Sequence, residues 1–171
     1  QGLFTDEAGN SSVKQEISGL SFDNIVPTVK IDGPEPAIIN KEGTAVFTIT
    51  SEDKLSYTTN EGKYITLNRV NSNDTINSDA KVEFEKKTED GKVWEIKVSN
   101  IGGDGEVSLV IEDGAFIDEA GNKIAKTEKA GLTVDNTAPV ITSVSEALLS
   151  EDKKSATIVI TTESKEDKFV I

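Results

Sequence analysis

Apolar and polar residues alternate with a period of two through most of this chain. Ala45, Phe47 and Ile49 alternate with Val46 and Thr48, and Ile65 and Leu67 with Tyr64, Thr66 and Asn68. Val82 and Phe84 are separated by Glu83, and Trp94, Ile96 and Val98 by Glu95 and Lys97. Val107, Leu109 and Ile111 alternate with Ser108 and Val110. Side chains of an extended strand point to opposite faces in turn, so this pattern predicts half-buried antiparallel strands. No window of helical length combines an apolar stripe with a capping signal. Turn signals divide the runs at Asn60-Glu61-Gly62, Glu89-Asp90-Gly91, Gly102-Gly103-Asp104-Gly105 and Glu112-Asp113-Gly114, and polar Asn71–Asp79 reads as a loop. Seven strands are expected, near 28–32, 43–50, 55–68 (with room for a split), 80–86, 92–99, 105–112 and 124–134. Trp94 is the only Trp, and its place in an alternating run makes it a core residue.

A long repeat overlies this pattern. Asp118-Glu119-Ala120-Gly121-Asn122 repeats Asp6-Glu7-Ala8-Gly9-Asn10 at a distance of 112 residues. Laying 1–29 over 113–141 without a gap gives 14 identities, among them Phe4/Phe116, Gly19/Gly131, Leu20/Leu132 and Pro27/Pro139. The run Ser155–Thr161 follows Thr44–Thr50 at an offset of 111, one residue having been lost in the loop before it. A fixed period of this length predicts a tandem array of domains. The expected division is 1–23 as the C-terminal part of one repeat, 24–135 as a complete repeat and 136–171 as the N-terminal part of the next. Seven short antiparallel strands in one such repeat predict an all-β protein. The expected architecture is tandem seven-stranded immunoglobulin-like β-sandwich repeats, one complete and two partial.

Charge and composition narrow the chemistry. The 171 residues hold 31 Asp and Glu against 18 Lys and Arg, a net charge of −13. Such a surface repels phosphates, so nucleic acid is not an expected partner, whereas divalent cations are compatible with it. There is no Cys, which excludes disulfides and thiolate metal sites, and no His, which removes the commonest general base. No apolar run reaches the length of a membrane span. Ser and Thr are plentiful, but no nucleophile elbow occurs, and Gly102–Gly105 lacks the Lys of a phosphate loop. No enzymatic activity is expected.

The segments Gly114–Asn122 and Leu132–Ile141 carry two motifs, Asp-x-Ala-Gly-Asn and Asp-Asn-Thr-Ala-Pro. In these the chain resembles the bacterial Ig-like repeats that form stalks of large surface adhesins and biofilm-associated proteins. The first linker departs from the pattern, with Ile25-Val26 in place of Thr-Ala, but keeps its Asp and Pro. The resemblance implies an extracellular, cell-surface or secreted protein whose partners are neighbouring repeats of the same chain. A host or surface receptor would then be engaged through other domains. It also implies that acidic residues near the joints bind Ca²⁺ in the calcium-dependent members of such arrays.

Strand order places the candidate site. In a seven-stranded sandwich the loop between the sixth and seventh strands returns to the pole where the first strand enters. Asp118–Asn122 should therefore meet the linker Asp23-Asn24. Asp23, Asn24, Asp118, Glu119 and Asn122 would offer several of the six to eight oxygens that Ca²⁺ takes. Asp104 lies at the opposite pole and would add an oxygen to the next joint, around Asp135 and Asn136. The alternative is a turn without metal. Gly121 supplies a positive φ, the Asp side chain bonds backbone N–H groups, and the Pro stiffens the linker. An intramolecular Lys–Asn isopeptide bond would need a buried Lys beside an acid, and the sequence does not place the three groups together.

The leading expectation is a stalk or spacer repeat. A ligand- or carbohydrate-binding sandwich is the alternative, with Tyr57 and Tyr64 its best exposed aromatic candidates. A subunit of an extracellular filament is a further one, although residues 1–23 and 136–171 together lack roughly 50 residues for a full sandwich.

Overall fold

The computed structural model describes residues 4–14, 16, 18–58, 64–70 and 76–163. Among them the protein is all-β, with fourteen strands and no helix. Strands β1 (Val29–Glu35), β3 (Thr44–Ser51), β6 (Lys81–Lys86) and β7 (Val93–Ser99) form one sheet in the order β1-β3-β7-β6. Strands β2 (Ile38–Ile39), β5 (Ile65–Arg69), β8 (Gly105–Ile111) and β10 (Thr127–Val134) form a second in the order β2-β10-β8-β5. A short pair, β4 (Ser56–Tyr57) with β9 (Phe116–Ile117), closes one end.

The two larger sheets share one core. Phe47, Ile49, Ile96 and Val98 from the first sheet and Val107, Leu109, Ile111 and Leu132 from the second are fully buried together. These are the apolar halves of the alternating runs, and a one-residue slip of register would turn any of them to solvent. Trp94 belongs to the same core. It packs edge-on to Phe116, with ring centroids 5.2 Å apart, and its Nε1–H donates to the Gly91 carbonyl at 2.9 Å. Strand β8 is central to its sheet, and its outward Ser108 and Val110 are buried as well.

Most expected strands agree with those observed to within a few residues, with three differences. The strand expected near 28–32 continues to Glu35 and is followed by β2, so the first part of the unit contributes to both sheets. Pro34 and Pro36 have no N–H to give to a ladder: the register of β1 on β3 shifts between Asp32 and Glu35, across Pro34, and the last pair, Glu35 with Val46, stands just before Pro36. Two residues later Ile38 and Ile39 pair in parallel with Thr133 and Val134. The expected 55–68 strand is two strands, β4 and β5, in different sheets, and 59–63, including the expected turn at 60–62, lie outside the described residues. Of the loop expected at 71–79, residues 71–75 also lie outside them.

The third difference is in the C-terminal segment. There β11 (Ile141–Val144) pairs with β14 (Ile160–Thr162), and β12 (Leu148–Leu149) with β13 (Ala156–Thr157). The run 155–161 is therefore broken at Ile158-Val159, unlike its counterpart β3. The Val159 N–H is taken by the Ser145 hydroxyl at 2.8 Å, which interrupts the ladder. Residues 164–171 of this segment lie outside the described residues.

Candidate functional site at the two linkers

The loop Asp118–Asn122 follows β9 and is held by its own atoms. Asp118 Oδ1 accepts the N–H groups of Ala120 (2.9 Å) and Asn122 (2.8 Å), and Oδ2 accepts the Asn122 side-chain amide at 2.9 Å. The Asp118 N–H donates to the Asn122 carbonyl (3.1 Å) and the Gly121 N–H to the Asp118 carbonyl (3.3 Å). Gly121 sits at φ +92°, in the region that a side chain disfavours. The first copy makes the same five bonds. Asp6 Oδ1 accepts Ala8 and Asn10 N–H at 3.0 and 2.8 Å, and Oδ2 accepts the Asn10 amide at 2.9 Å. The two backbone bonds recur at 3.0 Å each, and Gly9 has φ +85°.

These donors stabilise the charged carboxylate. The Asn122 side chain leads, followed by the loop N–H groups, and together they hold Asp118 below the usual aspartate range despite its burial. Asp6 is lowered in the same way, led by Asn10. Asp118 is enclosed by its own loop, which itself lies at the surface. A depressed folded value means that the group stabilises the fold above its unfolded pKa and loses that contribution as pH falls. Asp118→Ala is expected to lower the melting temperature by several degrees near neutrality. The difference from wild type should shrink below about pH 4, as urea unfolding across a pH series would show.

The structure brings this loop to the first linker. The Asn122 amide donates to the Asp23 carbonyl at 3.1 Å, joining residues 99 apart in sequence. Asp23 Oδ1 accepts the Ile25 N–H at 2.9 Å, which fixes the turn into β1. Asn24 is exposed and has no hydrogen-bond partner among the described residues. Asp23, Asp118 and Glu119 line one cavity with Ser21, Asp53, Lys54 and Ala120. Lys54 Nζ lies 2.5 Å from Glu119 Oε1, and this contact raises the lysine pKa. Asp53 and Lys54 were not singled out by the sequence reading. They follow β3 directly, so their place at this pole was implicit in the strand order that located Asp118.

At the second linker the contacts come from the opposite pole. Asp104 Oδ1 accepts the Asn136 N–H at 2.6 Å, and Oδ2 accepts the Thr137 hydroxyl at 2.5 Å. The hydroxyl, then the N–H, then the charge of Arg69 hold this carboxyl below its usual range. Asp135 Oδ1 accepts the Thr137 N–H at 3.0 Å, the counterpart of Asp23 with Ile25. Asn136 uses its whole side chain. Nδ2 donates to the carbonyls of Gly103 (2.8 Å) and Ile101 (3.3 Å), and Oδ1 accepts the Lys41 N–H at 2.5 Å. Arg69, the only Arg in the chain, donates to the carbonyls of Gly102 and Gly105 and braces this loop.

Several of the candidate Ca²⁺ donors are already engaged. Asp118 and Asp104 already accept hydrogen bonds on both carboxylate oxygens, and Glu119 is paired with Lys54. Asp23 Oδ2, the Asn24 amide oxygen, Glu119 Oε2 and the Asp53 carboxylate are side-chain acceptors of the first joint with no hydrogen bond among the described residues. Among the described residues no group of three or more carboxylates is close enough to share a metal. No lysine among them is buried, so the isopeptide chemistry lacks its buried amine.

The fold and the two linkers define the chain as an all-β protein with two facing sheets and hydrogen-bonded connections at both ends. Comparison with protein-family models, curated proteins and solved structures finds no match.

Proposed function

We propose that the chain is a structural spacer from a bacterial cell-surface or secreted adhesin. Residues 24–135 are one complete Ig-like repeat, 1–23 belong to the repeat before it and 136–171 to the repeat after it. The supporting observation is that positions buried in the central unit recur in the flanks as exposed apolar residues. Phe116 is 0 % exposed and its counterpart Phe4 72 %; Leu132 is 0 % and Leu20 74 %. Phe47 and Ile49, both fully buried, correspond to Ile158 and Ile160, both exposed. A core pattern without its core is what parts of neighbouring sandwiches present. The acidic surface suits such a role by resisting side-by-side association.

A chain lengthened by one copy of 24–135 tests this. Its greatest dimension in small-angle scattering should grow by the length of one sandwich. Growth in mass without growth in length would overturn the spacer reading.

A second reading, that Ca²⁺ bridges the first joint, is favoured by the acidic lining of one cavity by Asp23, Asp53, Asp118 and Glu119. On that reading Ca²⁺ raises the melting temperature, and Asp23→Ala and Asp118→Ala each abolish the rise. Identical melting curves in Ca²⁺ and EDTA would remove it. A carbohydrate platform has less support, because Tyr57 packs against Phe84 (4.1 Å) and Phe116 (5.4 Å), and Tyr57 and Tyr64 are half-buried against the core. The absence of His and Cys fits a role without catalysis.

A further inference from the structure

The two linkers carry the same Asp-Asn pair, and each is held from the opposite side. At Asp135-Asn136 the hold comes from the unit that precedes the linker, through the Asn136 side chain and Asp104. At Asp23-Asn24 it comes from the unit that follows, through the Asn122 amide on the Asp23 carbonyl. Bringing the two halves together by the 112-residue period places both sets of contacts on one linker without competition. One set uses the Asn side chain, the other the Asp carbonyl. We propose that each linker of the array is gripped on both sides by amide–carbonyl hydrogen bonds, so that its geometry is set without a divalent ion. This rests on the spacer reading, and not on the cation reading of the first joint.

The residue types fit. Asn136 faces two carbonyls and one backbone N–H, and a primary amide of this length satisfies all three. An aspartate there would set a carboxylate against two carbonyl oxygens. Asn136 is half-buried while Asp135 and Thr137 beside it are exposed, which makes it the anchored residue of the linker. The chain also ranks its own joints. Ile25 stands where Thr137 does, so the Thr137–Asp104 hydroxyl bond has no counterpart at the first linker, which has one contact fewer.

The test uses the full chain and two NMR observables, hydrogen exchange at the Lys41 and Asn136 N–H groups and ¹⁵N relaxation of residues 141–162. Both amides should exchange at least about tenfold more slowly than in an unstructured peptide, equally in Ca²⁺ and in EDTA. Asn136→Ala should abolish the protection of Lys41, while amides of β3, β7 and β8 stay protected and so exclude unfolding. Unprotected amides in the wild-type chain, or protection only with Ca²⁺, would overturn the proposal. The two readings fail differently. Protected amides with 141–162 tumbling freely would leave the grip standing and sink the spacer. Joint tumbling with unprotected amides would do the reverse.

Discussion

Phe116→Ala is expected to lower the stability of the central unit by about 3–5 kcal/mol, the usual cost of emptying a buried phenylalanine site. Phe116 is fully buried and meets two rings edge-on, Tyr57 at 5.4 Å and Trp94 at 5.2 Å. It also lies in β9, whose pairing with β4 holds the end of the sandwich beside the first linker. Little around the hole can collapse to fill it, because Trp94 is fixed by its bond to Gly91. A domain of this size has only about 5–15 kcal/mol in total, so a large part of it goes. Phe4→Ala removes the same side chain at the matching position of the first copy. With 72 % of Phe4 exposed, the change should stay within about 0.5 kcal/mol. Denaturant unfolding of both variants measures the contrast. Equal losses would mean that the N-terminal segment is packed in solution.

Gly33→Ala is expected to cost about 2–4 kcal/mol from two sources that can be separated. Gly33 has φ +98°, and a Cβ built on it falls 2.6 Å from the Val46 carbonyl oxygen and 3.3 Å from the Phe47 Cα. Both are backbone atoms of β3, so no side chain can swing aside. Gly121→Ala has nearly the same φ, +92°, but its Cβ meets nothing within 4 Å. It should therefore carry only the conformational part, about 1–2 kcal/mol. The difference between the two, read from urea midpoints, isolates the collision between β1 and β3. Equal effects would mean that β1 lifts off its neighbour freely.

The readable parts of the sequence were those whose side chains answer to one flat environment. Strands β3, β7 and β8 each set three apolar residues on the core side, and the alternation found them. Strand β2 was not readable in this way. Ile38-Ile39 is too short to show a period, and its partners Thr133-Val134 lie nearly a hundred residues on. The break at Ile158-Val159 was hidden because it depends on a hydroxyl, that of Ser145, just beyond the end of β11. At the linkers, strand order alone brought Asp118–Asn122 to Asp23 and Asp104 to Asn136. It could not show how the oxygens are used. Both carboxylate oxygens of Asp118 are taken by neighbours no more than four residues away, a matter of local backbone path. Glu119 is matched by Lys54, 65 residues distant, a pairing that no spacing rule encodes.

The loop of five residues after β9 has one more consequence. Its copy at Asp6–Asn10 closes with the same bonds although the apolar residues on either side of it lie open to water. The loop thus folds by its own instructions, whatever flanks it. In an inheritance of copied and recombined gene segments, such an element is indifferent to where the exchange falls, provided that the break spares five codons. On the spacer reading proposed above, arrays assembled from it could lengthen or shorten between generations while every new boundary still received a finished corner.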